Sequence, residues 1–197
     1  MSLRPDLALV ADLIPRGSRV LDLGCGSGEL LAHLIGEAGC RGTGVEIDPE
    51  QVVAAIRLGV PVIELDMDSQ LDDFSDHSYD VVVLSRTVQT LHRPATVLRH
   101  MGRIADQLIV SVPNFGYWQH RLRLLAGRMP MGRDLPYSWY DSPNLRFTTL
   151  VEMEELFAKE GLQIERRIPL TPTGRPITAP DRVANLLAGA AVYSLRA

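Results

Sequence analysis

Five short apolar runs recur along this chain, and stretches with helical spacing lie before, between and after them. The runs are "RVLDLG" (19–24), "RGTGVEID" (41–48), "VPVIELD" (60–66), "YDVVVLS" (79–85) and "QLIVSVPN" (107–114). Each is too short for a helix, and "VVVL" has the continuous branched character of a strand buried on both faces. The helical stretches are 7–14, 29–39, 49–59, 94–105 and 150–161, punctuated by Pro15, Gly39, Pro49 and Gly59. Pro49 suits a first helical turn, and the glycines suit helix ends. Strand and helix in alternation predict an α/β fold with a doubly wound, mostly parallel sheet. Two further runs, 162–170 and 189–197, bring the sheet to seven strands. A length of 197 residues suits one full core, so 1–197 is expected to be a single domain. Two segments resist the alternation. One is 115–149, an expected insert or lid after the fifth strand. The other is 171–188, which opens rich in Pro and Thr. Both exceed an ordinary connection, and long connections are usually functional or disordered.

The charge balance bears on partners. A formal charge of −4 argues against a nucleic-acid binder. No apolar run reaches membrane-spanning length, so no membrane partner is expected. The first residues carry Asp6 and Asp12 and lack the apolar core of a signal peptide, so a cytoplasmic location is expected. Cys25 and Cys40 have no CxxC spacing and no third thiol beside them, which leaves neither a disulfide framework nor a metal site.

The first strand runs into "VLDLGCGSGELL" (20–31), with Gly24, Gly26 and Gly28 on the strand-to-helix turn. Glycine there lets the chain turn tightly and lets a ligand approach the main chain. The spacing is GxGxG rather than the GxGxxG of dinucleotide binders. Glu29 follows at once, a poor neighbour for a pyrophosphate but harmless to a ligand without phosphate. Glu46 and Ile47 end the second strand, and an acid there can accept hydrogen bonds from ribose hydroxyls. Asp66, Met67 and Asp68 end the third, where a carboxylate can take an adenine amino group and a methionine can pack on its ring.

Together these pieces resemble the class I S-adenosylmethionine-dependent methyltransferases, from Val20 to about Asn114. The resemblance implies a Rossmann-like fold. It also implies S-adenosylmethionine or S-adenosylhomocysteine bound by Asp22, Gly24, Gly26, Gly28, Glu46, Ile47, Asp66, Met67 and Ser85. In that family an acid at the position of Asp22 supports the methionine end of the cofactor. Holding the loop's backbone amides is the alternative role for Asp22.

Methyl transfer from a sulfonium needs mainly alignment, and a base only where the acceptor must lose a proton. The fourth strand ends in "LSRTVQTLHRP" (84–94), without an Asn-Pro-Pro-Tyr-type motif, so an amide or nucleobase amine acceptor is not indicated. His92 is the histidine nearest the expected site. It is a weak catalytic candidate against a simpler role in the turn before Pro94. Thr87 and Gln89 are candidate pocket residues.

Segment 113–144 reads "PNFGYWQHRLRLLAGRMPMGRDLPYSWYDSPN". With "RPDL" near the start, "VLDLGCGSGELL", "GVEIDPE", "LSRTVQTLHRP" and "VSVPNFGYW", its "GRMP" and "LPYSWYDSPN" resemble the MetW family of methionine biosynthesis proteins. That resemblance extends from about Arg4 to Arg167. It implies a partnership with a MetX-type homoserine O-acetyltransferase or O-succinyltransferase, with this chain as activating or regulatory partner. It implies no methyl acceptor. A working small-molecule methyltransferase, with 115–149 as its lid, is the alternative. Residues 115–149 hold Arg121, Arg123, Arg128, Arg133 and Arg146 against Asp134 and Asp141, a basic stretch in an acidic chain. Trp118, Arg128, Tyr137, Trp139, Tyr140, Asp141 and Asn144, with Gln89, are the substrate or partner candidates, aromatics and arginine being prominent in binding hot spots. Folding back as the core of a lid is the other use for those aromatics. Homodimerisation is left open.

Overall fold

The apolar runs form strands β1 (Arg19–Leu23), β2 (Arg41–Glu46), β3 (Val62–Glu64), β4 (Val81–Ser85), β5 (Gln107–Pro113), β6 (Gln163–Leu170) and β7 (Ala190–Arg196). This is seen in a computed structural model, which describes residues 3–132, 137–178 and 180–197. Arg133 and Asp134, counted in the charge balance above, lie outside the described residues. The sheet order is β3-β2-β1-β4-β5-β7-β6. Strands β1 to β5 are parallel, and β7 runs antiparallel to both β5 and β6. The expected seven-stranded, mostly parallel sheet is therefore present.

Helices α1 (Pro5–Asp12), α2 (Glu29–Ala38) and α3 (Pro49–Arg57) precede β1, β2 and β3 in turn, and α4 (Pro94–Ile104) precedes β5. The first begins at Pro5 rather than Leu7, because proline's fixed φ suits a first turn. Asp48 caps α3 by accepting from the Glu50 N–H at 2.9 Å. Further on lie α5 (Trp118–Leu125), α6 (Leu150–Lys159) and α7 (Asp181–Leu187). A capping box starts α6: Thr149 and Glu152 exchange side-chain and backbone hydrogen bonds.

Two cores flank the sheet, as alternate side chains of a strand require. Leu21, Leu23, Val82, Leu84, Leu108 and Val110 meet Leu98 and Met101 of α4 and Met153 and Phe157 of α6. On the other face Val20, Val81, Val83 and Ile109 meet Leu7 and Val10 of α1, Leu31 and Leu34 of α2, and Ala55 of α3. From β1 the chain winds outward to β3, then returns to β4 on the other side of β1. That reversal opens a crevice beyond the C-terminal ends of β1 and β4, the usual ligand position in such sheets. No helix among the described residues is long and apolar enough to cross a membrane.

Candidate functional site

The crevice is built on the turn between β1 and α2. Gly24 and Gly28 have φ of +73° and +80°. A β-carbon on Gly24 would stand 2.7 Å from Thr87 Oγ1, and one on Gly28 would stand 3.1 Å from Ala55 Cβ. Conformation and crowding both require glycine at these positions. The Gly24 and Cys25 amides donate to the Val45 carbonyl at 2.8 and 3.0 Å, so the turn folds over the end of β2.

Glu46 holds this turn from below. Its carboxylate accepts from the Gly26 N–H (2.8 Å), the Ile47 N–H (2.8 Å) and the Asp48 N–H (3.1 Å). The amide-holding task considered for Asp22 therefore falls to Glu46. A carboxylate has about four lone-pair positions, so one remains for a ligand hydroxyl. Asp66 is likewise tied to its own turn, by the Asp68 N–H and the Ser69 hydroxyl, each at 2.9 Å. Met67 is 7% exposed and belongs to the core, whereas Ile47 is 59% exposed beside the crevice. Two strand spacings, about 10 Å, separate the ends of β1 and β3. Asp22, Glu46 and Asp66 stand along that line.

Asp22 differs from the other two acids. It is buried, and its carboxylate accepts no hydrogen bond among the described residues; Oδ1 is fully enclosed. Burial, then the nearby charge of Glu46, pushes its pKa up to about 7. It faces a cavity of about 290 Å³ shared with Gly26, Gln51, Ser85, Leu7 of α1 and Arg4 just before that helix. A buried acceptor without a protein donor leaves a place for a group that brings one. The methionine end of S-adenosylmethionine carries an ammonium group, and the residues present fit it. Glu29, at the start of α2, also borders the glycine turn, in keeping with a ligand lacking phosphate. When bound, that cofactor would supply an activated methyl group.

Cys25 is inert by comparison. Its sulfur packs where a β-carbon on Gly44 would lie, 2.4 Å away, and burial followed by the charges of Asp22 and Glu46 pushes its thiol up to about 12.

The chain after β4 forms the far wall. Ser85 Oγ lies 3.0 Å from Ser111 Oγ. Arg86 has φ of +54°, an uncommon conformation for a residue with a β-carbon. Its Nε faces buried Asp6 of α1 at 2.9 Å, an ion pair that clamps α1 over the cavity. The quoted motifs "RPDL" and "LSRTVQTLHRP" contain Arg4, Asp6, Leu7 and Arg86, but their place at the site depends on where α1 docks. Gln89 is buried, donates to the Arg86 carbonyl, and leaves its own Oε1 without a donor among the described residues.

His92 is exposed, and its backbone carries the contacts. The His92 and Arg93 amides donate to the Asp68 carboxylate at 2.9 and 2.8 Å, and Arg146 Nη2 donates to the His92 carbonyl at 3.0 Å. These contacts are those of a positioned turn before Pro94.

The insert divides into two faces. Phe115, Tyr117 and His120 turn inward, with Phe115 and Phe147 ring centroids 4.9 Å apart. Trp118 (40% exposed), Tyr137 (48%), Trp139 (73%) and Tyr140 (76%) present much of their surface to solvent. Arg128 and Asp141 are exposed and Asn144 is half-buried. Asn144 borders a small gap with Phe115, Tyr137, Trp139 and Phe147. None of the described residues of 115–149 lines the Asp22 cavity. Trp139, Tyr140 and Asp141 therefore stand outside the Asp22 cavity.

Comparison with known proteins agrees with this architecture. A solved S-adenosylmethionine-dependent methyltransferase from Mesorhizobium loti superposes with a TM-score of 0.72 at 16% identity, covering 98% of both chains. A second, from Archaeoglobus fulgidus, gives 0.64 at 17% identity, covering 97% of this chain and 94% of that one. At such identities the likeness concerns the fold, that of class I methyltransferases. The bifunctional methionine biosynthesis protein MetXA/MetW of Rhodopirellula baltica is 32% identical over 98% of this chain, which spans only 33% of that relative. The family described as "Methionine biosynthesis protein MetW" matches residues 4–195. The glycine turn, the three strand-end acids and the outward-facing insert thus sit on a methyltransferase scaffold, and the chain belongs to the MetW family of methionine biosynthesis proteins.

Proposed function

We propose that this chain acts with a MetX-type homoserine O-acyltransferase, as its activating or regulatory partner, and binds S-adenosylmethionine or S-adenosylhomocysteine in the Asp22 crevice. The observation that carries the partnership is the Rhodopirellula baltica relative, whose name joins MetXA and MetW in one protein. Two features support a partner role over a catalytic one. The end of β4 carries no Asn-Pro-Pro-Tyr-type acceptor motif, and the insert's aromatics do not line the Asp22 cavity. The ligand assignment is supported by the enclosed, donor-less Asp22 carboxylate beside the glycine turn.

Sedimentation of the purified chain with the acyltransferase from the same source, together with acyltransferase assays with and without the chain, tests the partnership. Co-sedimentation and a changed acyltransferase rate are expected; separate boundaries and an unchanged rate would reject it. A thermal shift with each ligand tests the crevice, because a ligand bound only to the folded state raises stability. Release of S-adenosylhomocysteine across a broad acceptor panel would instead favour a working methyltransferase.

A further inference from the structure

Helix α5 carries an apolar stripe that the described residues leave largely exposed. Trp118, Leu122 and Leu125 follow one another at i, i+4 and i+7, and are 40%, 54% and 84% exposed. His120 points the opposite way and is 1% exposed, so the helix is anchored by one face and offers the other. Arg123 Nε donates to the Met129 carbonyl at 3.1 Å, bringing the following loop against the helix end. Met129, itself 44% exposed, borders the same gap as Tyr137 and Trp139, and Trp139 stacks edge-on to Tyr140 with ring centroids 5.6 Å apart. Apolar patches of this kind on a single chain mark interaction sites.

The insert is also basic. Arg121, Arg123 and Arg146 donate to backbone carbonyls, which leaves their charge in place. No carboxylate pairs with these three or with Arg128 among the described residues. A second copy docked symmetrically through this face would set arginine against arginine, because a two-fold interface pairs a patch with itself. An acid-rimmed apolar surface on a different protein meets no such penalty.

We infer that the outward face of residues 118–132 and 137–147, centred on Leu125, Trp139 and Tyr140 and rimmed by Arg121 and Arg128, docks the acyltransferase through an apolar patch bordered by carboxylates. This rests on the partnership proposed above and adds its surface. The docking face is separate from the Asp22 cavity, so a partner seated there leaves that cavity uncovered.

Isothermal titration of the full chain with the purified acyltransferase tests the surface. Leu125→Glu, and Trp139→Ala with Tyr140→Ala, are expected to weaken Kd at least ~30-fold, as central hot-spot losses do. Arg128→Glu is expected to weaken it by roughly 3- to 10-fold, mainly through slower association, and to flatten its salt dependence. Ile164→Ser, at an exposed apolar position on β6, is expected to leave Kd within about twofold, as a change outside the contact does. The altered side chains are largely solvent-exposed, so thermal midpoints should match the wild type and confirm folding. Wild-type binding that all three surface variants retain would overturn the surface while leaving the partnership standing. No binding by the wild type would reject both. Self-association of the chain alone, abolished by Leu125→Glu, would assign the face to a second copy and overturn the inference.

Discussion

A carboxylate buried at a strand end with no donor is a charge held out of water at a cost. Asp22 sits in that state, and its pKa of about 7 expresses the cost. Its folded pKa lies above the unfolded value near 3.8, so its contribution to stability is intact below pH 4 and is lost as pH rises through 7. Without ligand, Asp22→Asn should therefore gain in thermal midpoint relative to wild type as pH rises from 4 to about 7, then hold a constant advantage. Ligand binding runs in the opposite sense. A cationic group at Asp22 favours the ionised form, so affinity for S-adenosylmethionine should rise from pH 6 to 8 in the wild type. In Asp22→Asn it should be weaker by roughly 10- to 100-fold at pH 8 and nearly flat with pH. Titrations at three pH values would show this, and an unaltered wild-type slope in the variant would refute it. The glycines and strand-end acids of this site were legible in the sequence, because type and spacing are written there. Which acid holds the turn and which is left without a donor was not, because that depends on where the Gly26, Ile47 and Asp48 amides point.

At the level of elements, the strands and most helices follow from hydrophobic period alone, whereas the joints between them do not. Asn114 is one such joint. Fully buried after β5, it donates to the Asn185 and Ala188 carbonyls at 2.8 and 2.7 Å and accepts from the Gly116 N–H at 2.9 Å. It thereby ties the start of the insert to α7 and β7. Asn114→Ala would leave these groups unsatisfied in the interior and should cost about 2–4 kcal/mol. Urea unfolding measures this, and a loss below about 1 kcal/mol would mean the groups re-pair. The helix that Asn114 meets was unreadable in advance: 171–188 begins with Pro, Thr and Gly, and α7 is only seven residues long. The clamp between α1 and the β4 turn is a second joint. Arg86→Ala removes the nearer of the two cations beside buried Asp6, leaving Arg4 at 3.7 Å, and should destabilise the fold by roughly 2 kcal/mol, less than breaking a fully buried pair because Arg86 is partly exposed. It should also raise amide exchange across Pro5–Asp12 and weaken S-adenosylmethionine binding, since Arg4 and Leu7 wall the cavity. Unchanged exchange in that helix would show that its apolar contacts hold it without the ion pair.

Across the whole molecule, the crevice and the basic apolar face share one connecting segment, residues 86–93. On the crevice side, Thr87 presses against Gly24 and Asp68 binds the His92 and Arg93 amides. On the insert side, the Gln89 carbonyl accepts from the Leu145 and Arg146 amides, both at 2.9 Å, and Arg146 grips the His92 carbonyl. Residues flagged in the sequence only as pocket candidates thus act as a strut between the two ends. A ligand that changes the position of this strut must change the free energy of whatever docks on the insert. We predict that S-adenosylmethionine alters the Kd for the acyltransferase, and that the acyltransferase alters the Kd for S-adenosylmethionine by the same factor, as linkage requires. Asp68→Ala removes the hydrogen bonds between the β3 turn and the strut without touching Asp22 or the insert. It should bring that factor toward one while both separate affinities stay within a few-fold of wild type. Titration of each partner in the presence and absence of the other, for both proteins, measures the factor in two independent ways. Unequal factors would expose an error in the binding scheme. A factor of one in the wild type would sever the two sites energetically and leave the insert as a docking surface indifferent to the crevice.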